Sequence, residues 1–310
     1  MPSGPPRDVW LGVTKSALQK YVRRGETALA LQAAAELIRL DKRVFFWRWP
    51  IIVAEDVLTA VPLLPFVADN PLGVVEATTT LPKNKDAWGL YVLARDSAPL
   101  GRPSCALVDA LVAADAVLAT RCAWWEWEMG HKDAVINELS GMLLGTDGVA
   151  VRDLLTAATK IRKGPGPEDC QPRFMVAAAV LCALDQVASA PKEIRVREAP
   201  AVTAEAVLPP HHVRWYACDQ HTAPGGGAMR AVAKYAPSVT MDKLKAIWFW
   251  NESAKLGGGV ADHRFYSEDE SMRAEGLDPY AARARWYALK DHAIELVGLA
   301  CAKWQMTAVR

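Results

Sequence analysis

Apolar residues recur at three- and four-residue steps along most of the chain, a spacing typical of amphipathic helices. One stripe consists of Leu29, Ala33, Leu37 and Leu40. The same pattern predicts helices over 104–118, 120–128, 132–144, 151–161, 173–190, 242–254 and 279–304. Alternation typical of a strand is confined to 193–207, where prolines interrupt it. The pattern predicts an all-α fold, a multi-helix bundle built from two packed helical modules.

Local signals set the boundaries of these modules. Ser16 and Gln19 have the spacing of a capping box, which starts the first helix near residue 15, and Gly25 is placed to end it. The preceding residues, 1–14, read as a disordered lead-in. A Gly/Pro-rich segment at 163–169 is typical of a linker. We therefore predict an N-terminal helical module over 15–162 and a C-terminal helical module over 170–310.

Composition narrows the class of protein. Of the 310 residues, 51% are hydrophobic and 23% are charged, which is typical of a globular chain and excludes disorder as the main state. The net charge is +1, so nucleic-acid binding would need a local basic patch. The sequence shows neither an apolar membrane span nor a secretory signal, which predicts a cytoplasmic protein. Its six cysteines form no C-x-x-C pair and are expected to be reduced and mostly buried.

Common catalytic and cofactor motifs are missing from the sequence. It contains no P-loop, no H-E-x-x-H and no G-x-S-x-G, and its two glycine runs lack the lysine and hydroxyl that cradle phosphate. We therefore expect no cofactor and identify no catalytic residue.

The densest polar cluster, at 211–222, allows two interpretations. Cys218, Asp219 and His221 are close enough in sequence to approach one metal ion, although a structural zinc site normally has four ligands. Alternatively, Asp219 and His221 hydrogen-bond the backbone and cap a turn. We favour this second interpretation, because the segment supplies fewer ligands than a structural zinc site needs. An enzyme hypothesis extends the cluster: His212, Asp219, His221 and His263 could support metal-assisted or acid/base hydrolysis.

The first 50 residues carry a local positive charge. They contain nine basic and four acidic residues. Cationic side chains with aromatic neighbours are the usual scheme for binding single-stranded nucleic acid. The candidate nucleic-acid-binding residues are Lys20, Arg23, Arg24, Arg43, Trp47 and Trp49. The alternative is a solvated helix face beside core tryptophans.

The chain contains twelve tryptophans, and their spacing bears on their role. Trp124 and Trp127 share one helix face, whereas Trp125 points elsewhere. Some tryptophans are therefore expected to face a partner or a groove, unless a thick helical core absorbs them.

Two segments carry a family resemblance. The first is SALQKYVRRGETALALQAAAELI at 16–38, followed by IIVAED at 51–56; the second is DQHTAPG at 219–225, with the tryptophan-rich helix after it. They resemble the C-terminal, non-ATPase region of RarA/MgsA-type replication-associated recombination AAA+ ATPases, relatives of the Werner-helicase-interacting proteins. The resemblance implies a helical collar that assembles as a tetramer beside a motor acting at stalled forks and single-stranded gaps.

The motor itself is missing from this chain, since there is no P-loop. The resemblance then implies a non-catalytic accessory protein of DNA replication or repair, similar to a clamp-loader collar and of a kind that phages carry. Its expected partners are DNA, single-stranded in preference, and replication proteins, and it is expected to be a homo-oligomer. A hydrolase and a homo-oligomeric interaction scaffold are the alternative functions.

Overall fold

The computed structural model describes residues 4–97, 101–161, 170–187, 213–257 and 268–310. Thirteen α-helices and one two-stranded sheet lie within these ranges, which confirms the predicted all-α fold. The chain divides into two compact units. Unit 1 comprises the described residues of Met1–Phe45, Ala199–Gly258 and Glu268–Arg310, and unit 2 comprises those of Phe46–Glu198. These units differ from the predicted modules 15–162 and 170–310, because unit 1 combines both ends of the chain.

Unit 1 is built from the first helices of the chain and the last ones. Its helical elements are α1 (Arg7–Arg24), the first part of α2 (Thr27–Asp56), a 3₁₀ turn (Trp215–Ala217), α10 (Ala223–Tyr235), α11 (Met241–Trp248), a π-helical turn (Phe249–Ser253), α12 (Glu268–Ala274) and α13 (Pro279–Ala302). Strands β1 (Val213–Arg214) and β2 (Ala308–Val309) pair in parallel, with Val213 opposite Ala308. At the centre of unit 1, the rings of Trp215, Trp248 and Trp286 pack with centroids 5.3–6.3 Å apart.

Helix α1 begins earlier than predicted. It starts at Arg7, so residues 7–14 are helical. The prediction of a disordered lead-in over 1–14 is therefore wrong for residues 7–14. Trp10 and Val13 are buried, and the Trp10 indole Nε1 donates to Glu36 Oε1 at 2.6 Å. This tertiary contact stabilises the turn that the sequence signals left out. Ser16 lies inside the helix and does not cap it.

Helix α2 contains a break at Asp41, whose φ of −161° and ψ of 98° are not helical. The Asp41 carboxylate accepts hydrogen bonds from the backbone N–H groups of Arg43 and Val44, at 3.0 and 3.3 Å. It thus acts as an N-cap for the second stretch of the helix. Pro50 lies within that stretch.

Unit 2 continues from the last part of α2. Its other elements are a 3₁₀ segment (Leu58–Phe66), α3 (Pro71–Thr80), α4 (Asp86–Asp96), α5 (Leu107–Val112), α6 (Ala116–Glu128), α7 (Lys132–Gly141), α8 (Gly145–Thr159) and α9 (Cys170–Ala183). An aromatic cluster joins α4, α6 and α9: Tyr91 packs against Trp88, Trp124 and Phe174 with centroids 5.4–5.6 Å apart.

No helix within the described ranges combines the length and the apolar character needed to cross a membrane.

Candidate functional site

Lys20 lies inside unit 1. Its side chain is 3% exposed, and its ammonium Nζ is 2.6 Å from Asp219 Oδ2 and 2.9 Å from Ser16 Oγ. A buried ammonium is costly to remove from water unless a carboxylate lies beside it. Lys20 and Asp219 therefore form a mutually dependent pair, which connects α1 to a residue 199 positions later.

The segment at 219–225 is organised around Asp219. Its Oδ1 accepts from the backbone N–H of His221 at 2.9 Å, and its carbonyl accepts from Thr222 Oγ1 at 2.7 Å. Thr222 Oγ1 in turn accepts from the backbone N–H of Gly225 at 3.1 Å, so Thr222 is the N-cap of α10. A Cβ on Gly225 would lie 1.9 Å from the Asp219 carbonyl oxygen, so only glycine allows this approach. The Asp-x-His-Thr-x-x-Gly pattern thus forms a capped turn.

Burial alone would raise the pKa of the Asp219 carboxyl. The Lys20 ammonium and the hydrogen bond from His221 outweigh that effect and hold the pKa well below its usual range. Asp219 is consequently a carboxylate at neutral pH, and its charge is neutralised inside the unit.

Arg23 and Arg24 are engaged one turn further along α1. Arg23 is buried and its Nη1 donates to the backbone carbonyl of Ser253. Arg24 Nη2 donates to the backbone carbonyl of Glu252 at 2.9 Å and to its Oε2 at 3.1 Å. The Arg24 guanidinium also lies 3.7 Å from the centre of the Tyr216 ring, a cation–π contact.

Glu252 accepts hydrogen bonds from several donors, two of which are cations. Besides Arg24, its carboxylate accepts from Trp286 Nε1 at 2.9 Å and from Lys290 Nζ at 2.8 Å. Burial acts to raise the pKa of Glu252, but the donors Lys290 and Trp286 and the charge of Arg24 lower it below its usual value. The two acids Asp219 and Glu252 thus satisfy cations that α1 carries inward.

The prediction that Lys20, Arg23 and Arg24 form an exposed basic face on α1 is therefore wrong. Lys20 and Arg23 are buried, and Arg24 is largely covered by Glu252 and Tyr216. These cations could be paired only by acids far away in sequence, which a local charge count does not register.

The other candidates from the same stretch are placed differently from one another. Arg43 is exposed, Trp47 is half-buried, and Trp49 is fully buried in the core. Trp49 is thus not available to stack on a base. No tryptophan of the chain is exposed: eight are buried and the remainder are half-buried. Packing in the helical cores therefore accounts for the large number of tryptophans.

The metal candidates do not converge. Cys218 Sγ lies 3.5 Å from Cys301 Sγ, whereas Asp219 is engaged with Lys20, and the His221 side chain is 72% exposed. Among the described residues, no three His, Cys, Asp or Glu side chains are grouped closely enough to hold a metal ion. Of the hydrolase candidates, His212 and His263 lie outside the described ranges.

One exposed basic surface was missed by the sequence reasoning. Helix α10 carries Arg230 and Lys234 one turn apart, both exposed, and neither forms an ion pair with another described residue. Tyr235 follows, is 66% exposed and makes an edge-to-face contact with the His292 ring at 4.2 Å. The helix contains no acidic residue. Arg230 and Lys234 share one side of the helix, and Tyr235, its last residue, lies next to Lys234. We call these three residues the α10 basic face; its sequence signal is the four-residue spacing of two cations in a helix without acids.

Comparisons with known proteins identify no relative: no family model, no curated protein and no solved structure matches the chain.

Proposed function

We propose that the protein is a non-catalytic helical accessory of DNA replication or repair that contacts single-stranded DNA through the α10 basic face. The observation that carries this proposal is that Arg230 and Lys234 are exposed on a helix free of acids, beside an exposed tyrosine. The resemblance of 16–38 and 219–225 to the collar region of the recombination ATPases supports the biological setting.

The electrostatics of the α10 basic face suit phosphate. Arg230 and Lys234 keep their charges toward solvent, so they would lose little other interaction when they meet a phosphate backbone. The Tyr235 ring offers a partly free face on which a base can stack, an interaction that tolerates any sequence. Such a surface favours weak, sequence-independent and salt-sensitive binding.

The non-catalytic assignment is supported by the roles of the two buried acids. Asp219 and Glu252 are each neutralised by cations and hydrogen-bond donors of the same unit. A general acid or base needs a proton that it can exchange near neutral pH, and both carboxyls have a lowered pKa instead. The contacts of Asp219 and Glu252 therefore support a structural role for these two acids.

Fluorescence anisotropy with labelled single-stranded DNA at two salt concentrations tests the proposal. Arg230→Ala/Lys234→Ala should weaken binding by about tenfold and reduce the salt slope by about 1.4, the value for two lost phosphate contacts on a single strand. The matched control, Arg152→Ala/Lys160→Ala, removes the same charge from exposed positions of unit 2 and should bind as the unmodified protein does. Equal loss in both double variants, or no binding at low salt, would exclude the α10 basic face.

Self-association is a further part of the proposed function, with a second copy of this chain as the partner. Helix α13 exposes Tyr280 and Tyr287, which are seven residues apart and share one helix face, and large side chains in this arrangement are suited to a subunit contact. The collar resemblance implies a tetramer. Light scattering coupled to size exclusion should give a mass above that of one chain, and Tyr287→Lys should reduce it. A monomer at micromolar concentration would exclude this part while leaving the DNA contact testable by anisotropy.

A further inference from the structure

Unit 2 contains two neighbouring thiols that line a cavity. Cys105 is half-exposed in the irregular segment before α5, and Cys122 is buried on α6, with the two Sγ atoms 4.0 Å apart. Both line a cavity of about 510 Å³ whose polar lining includes Arg102, Asp109 and Glu126. The cavity gives a small solute access to the Cys105 sulfur, which is the more exposed of the two.

We propose that Cys105 and Cys122 are a modification site for hydroperoxides, in which Cys105 reacts first and Cys122 then closes a reversible disulfide. In the first step the Cys105 sulfur, as its thiolate, attacks one oxygen of the hydroperoxide, so that an S–O bond forms while the O–O bond breaks. Sulfur is oxidised to a sulfenic acid, and the departing oxygen takes up the proton that the Cys105 thiol lost and leaves as an alcohol or, from hydrogen peroxide, as water. In the second step the Cys122 sulfur attacks the sulfenic sulfur. The S–S bond forms, the S–O bond breaks, and the hydroxyl leaves with the Cys122 proton as water.

The order of the two steps follows from exposure. Cys105 reaches solvent, whereas Cys122 is 2% exposed. Burial, together with the neighbouring Cys105, raises the pKa of the Cys122 thiol to about 12, so it remains protonated and inert toward solutes. Once Cys105 carries a sulfenic acid, Cys122 is the nearest sulfur to it and reacts as the resolving thiol.

The backbone around Cys105 allows the bond to close. A disulfide requires an S–S distance of about 2.05 Å, so the sulfurs must approach by about 2 Å. Cys105 lies outside helices and strands, where its position can shift without breaking a helical hydrogen bond. Its carbonyl accepts a weak hydrogen bond from Cys122 Sγ at 3.5 Å, which keeps the two residues adjacent before the reaction.

A second thiol pair provides an internal control. Cys218 and Cys301 of unit 1 have their Sγ atoms closer, at 3.5 Å, but both side chains are fully buried. If proximity alone decided reactivity, this pair would oxidise first. If access decides it, the pair in unit 2 oxidises and the pair in unit 1 does not.

Peptide mapping of the whole, reduced protein after equimolar hydrogen peroxide and thiol blocking tests the proposal without any substitution. We expect a peptide linked through Cys105 and Cys122, loss of two free thiols per chain, and full reversal by dithiothreitol. Cys218 and Cys301 should remain free. A Cys218–Cys301 link at the same dose, stable oxidation of Cys105 without a link, or no loss of thiols would each overturn the proposal.

Two variants separate the roles within the pair. In Cys122→Ala the reaction should stop at the sulfenic acid of Cys105, which dimedone traps. In Cys105→Ser the buried Cys122 should stay unmodified at the same peroxide dose. Oxidation of Cys122 in that variant, or no dimedone adduct in Cys122→Ala, would reject the proposed order of attack.

Discussion

Helices α1 and α10 both carry cations at helical spacing, yet these cations have opposite fates. On α1, Lys20 and Arg23 are buried and satisfied by groups of unit 1. On α10, Arg230 and Lys234 point to solvent. Cation spacing therefore does not by itself identify a binding face. What decides is whether the remainder of the chain supplies acids or carbonyls at that helix.

For α1 these groups come from far away in sequence. Asp219 lies 199 residues after Lys20, and Glu252 lies 228 residues after Arg24. Lys20 and Arg24 lie in the segment 16–38, and Asp219 lies in the segment 219–225. Pairing these two segments within unit 1 gives Lys20, Arg24 and Asp219 a structural role, whereas Arg230 and Lys234 stay exposed to solvent.

The largest effect is expected when the Lys20–Asp219 pair is broken. Lys20→Met leaves the Asp219 carboxylate buried without its counter-charge and should lower the free energy of unfolding by about 3–5 kcal/mol. Lys234→Met, the same change on α10, should alter it by less than about 0.5 kcal/mol. Urea unfolding followed by tryptophan fluorescence measures both. Similar values for the two variants would contradict the contrast between the helices.

A double variant sharpens this result. Lys20→Met/Asp219→Leu removes both charges and should recover most of the stability lost in Lys20→Met, because no buried charge is left unpaired. If the double variant is as unstable as the sum of its single variants, the pair does not act as a unit.

Next in size is a substitution in the turn that presents Asp219. Gly225→Ala would place a Cβ 1.9 Å from the Asp219 carbonyl oxygen, and the resulting backbone shift should lower the free energy of unfolding by about 3 kcal/mol. Gly227→Ala, two residues along the same helix, meets no atom within 4 Å. It should raise stability by up to about 1 kcal/mol through helix propensity. Thermal unfolding of both variants should show shifts of opposite sign.

A substitution at Glu252 tests the ion pair that Arg24 of α1 forms in the interior of unit 1. Glu252→Gln keeps the size of the side chain but removes the charge that Arg24 and Lys290 face, and should lower stability by about 2 kcal/mol. Glu295→Gln, an exposed acid on α13, is the control and should have almost no effect. Chemical denaturation of the two variants side by side measures the difference.

The sequence predicted those features that depend on neighbouring residues. The end of α1 at Gly25, with its φ of 70°, and the start of α13 at Pro279 follow from local helix signals, and both are confirmed. The apolar stripe likewise predicted the first part of α2. The start of α1 at Arg7 was missed because the contact that stabilises it, from Trp10 to Glu36, spans 26 residues.

The candidate site was less predictable for the same reason. Lys20, Arg23 and Arg24 have the spacing of a surface stripe, and only the tertiary structure shows which side of α1 faces Asp219 and Glu252. The turn interpretation of Asp219 and Thr222 was accessible because their partners lie within a few residues. Pairing of Cys105 with Cys122, by contrast, requires knowledge of how α6 lies beside the segment before α5.

The smallest expected effect is an acid dependence that belongs to Asp219. Its pKa in the folded protein is held below its unfolded value of about 3.9, so its contribution to stability is complete above that pH and declines as the pH falls. Between pH 5 and pH 3 the loss should be about 1.2 kcal/mol. Asp219→Asn should flatten the dependence by this amount, whereas Asp242→Asn, an exposed acid of the same unit, should leave it unchanged. Equal slopes in all three proteins, measured by urea unfolding at each pH, would show that Asp219 carries no special charge interaction.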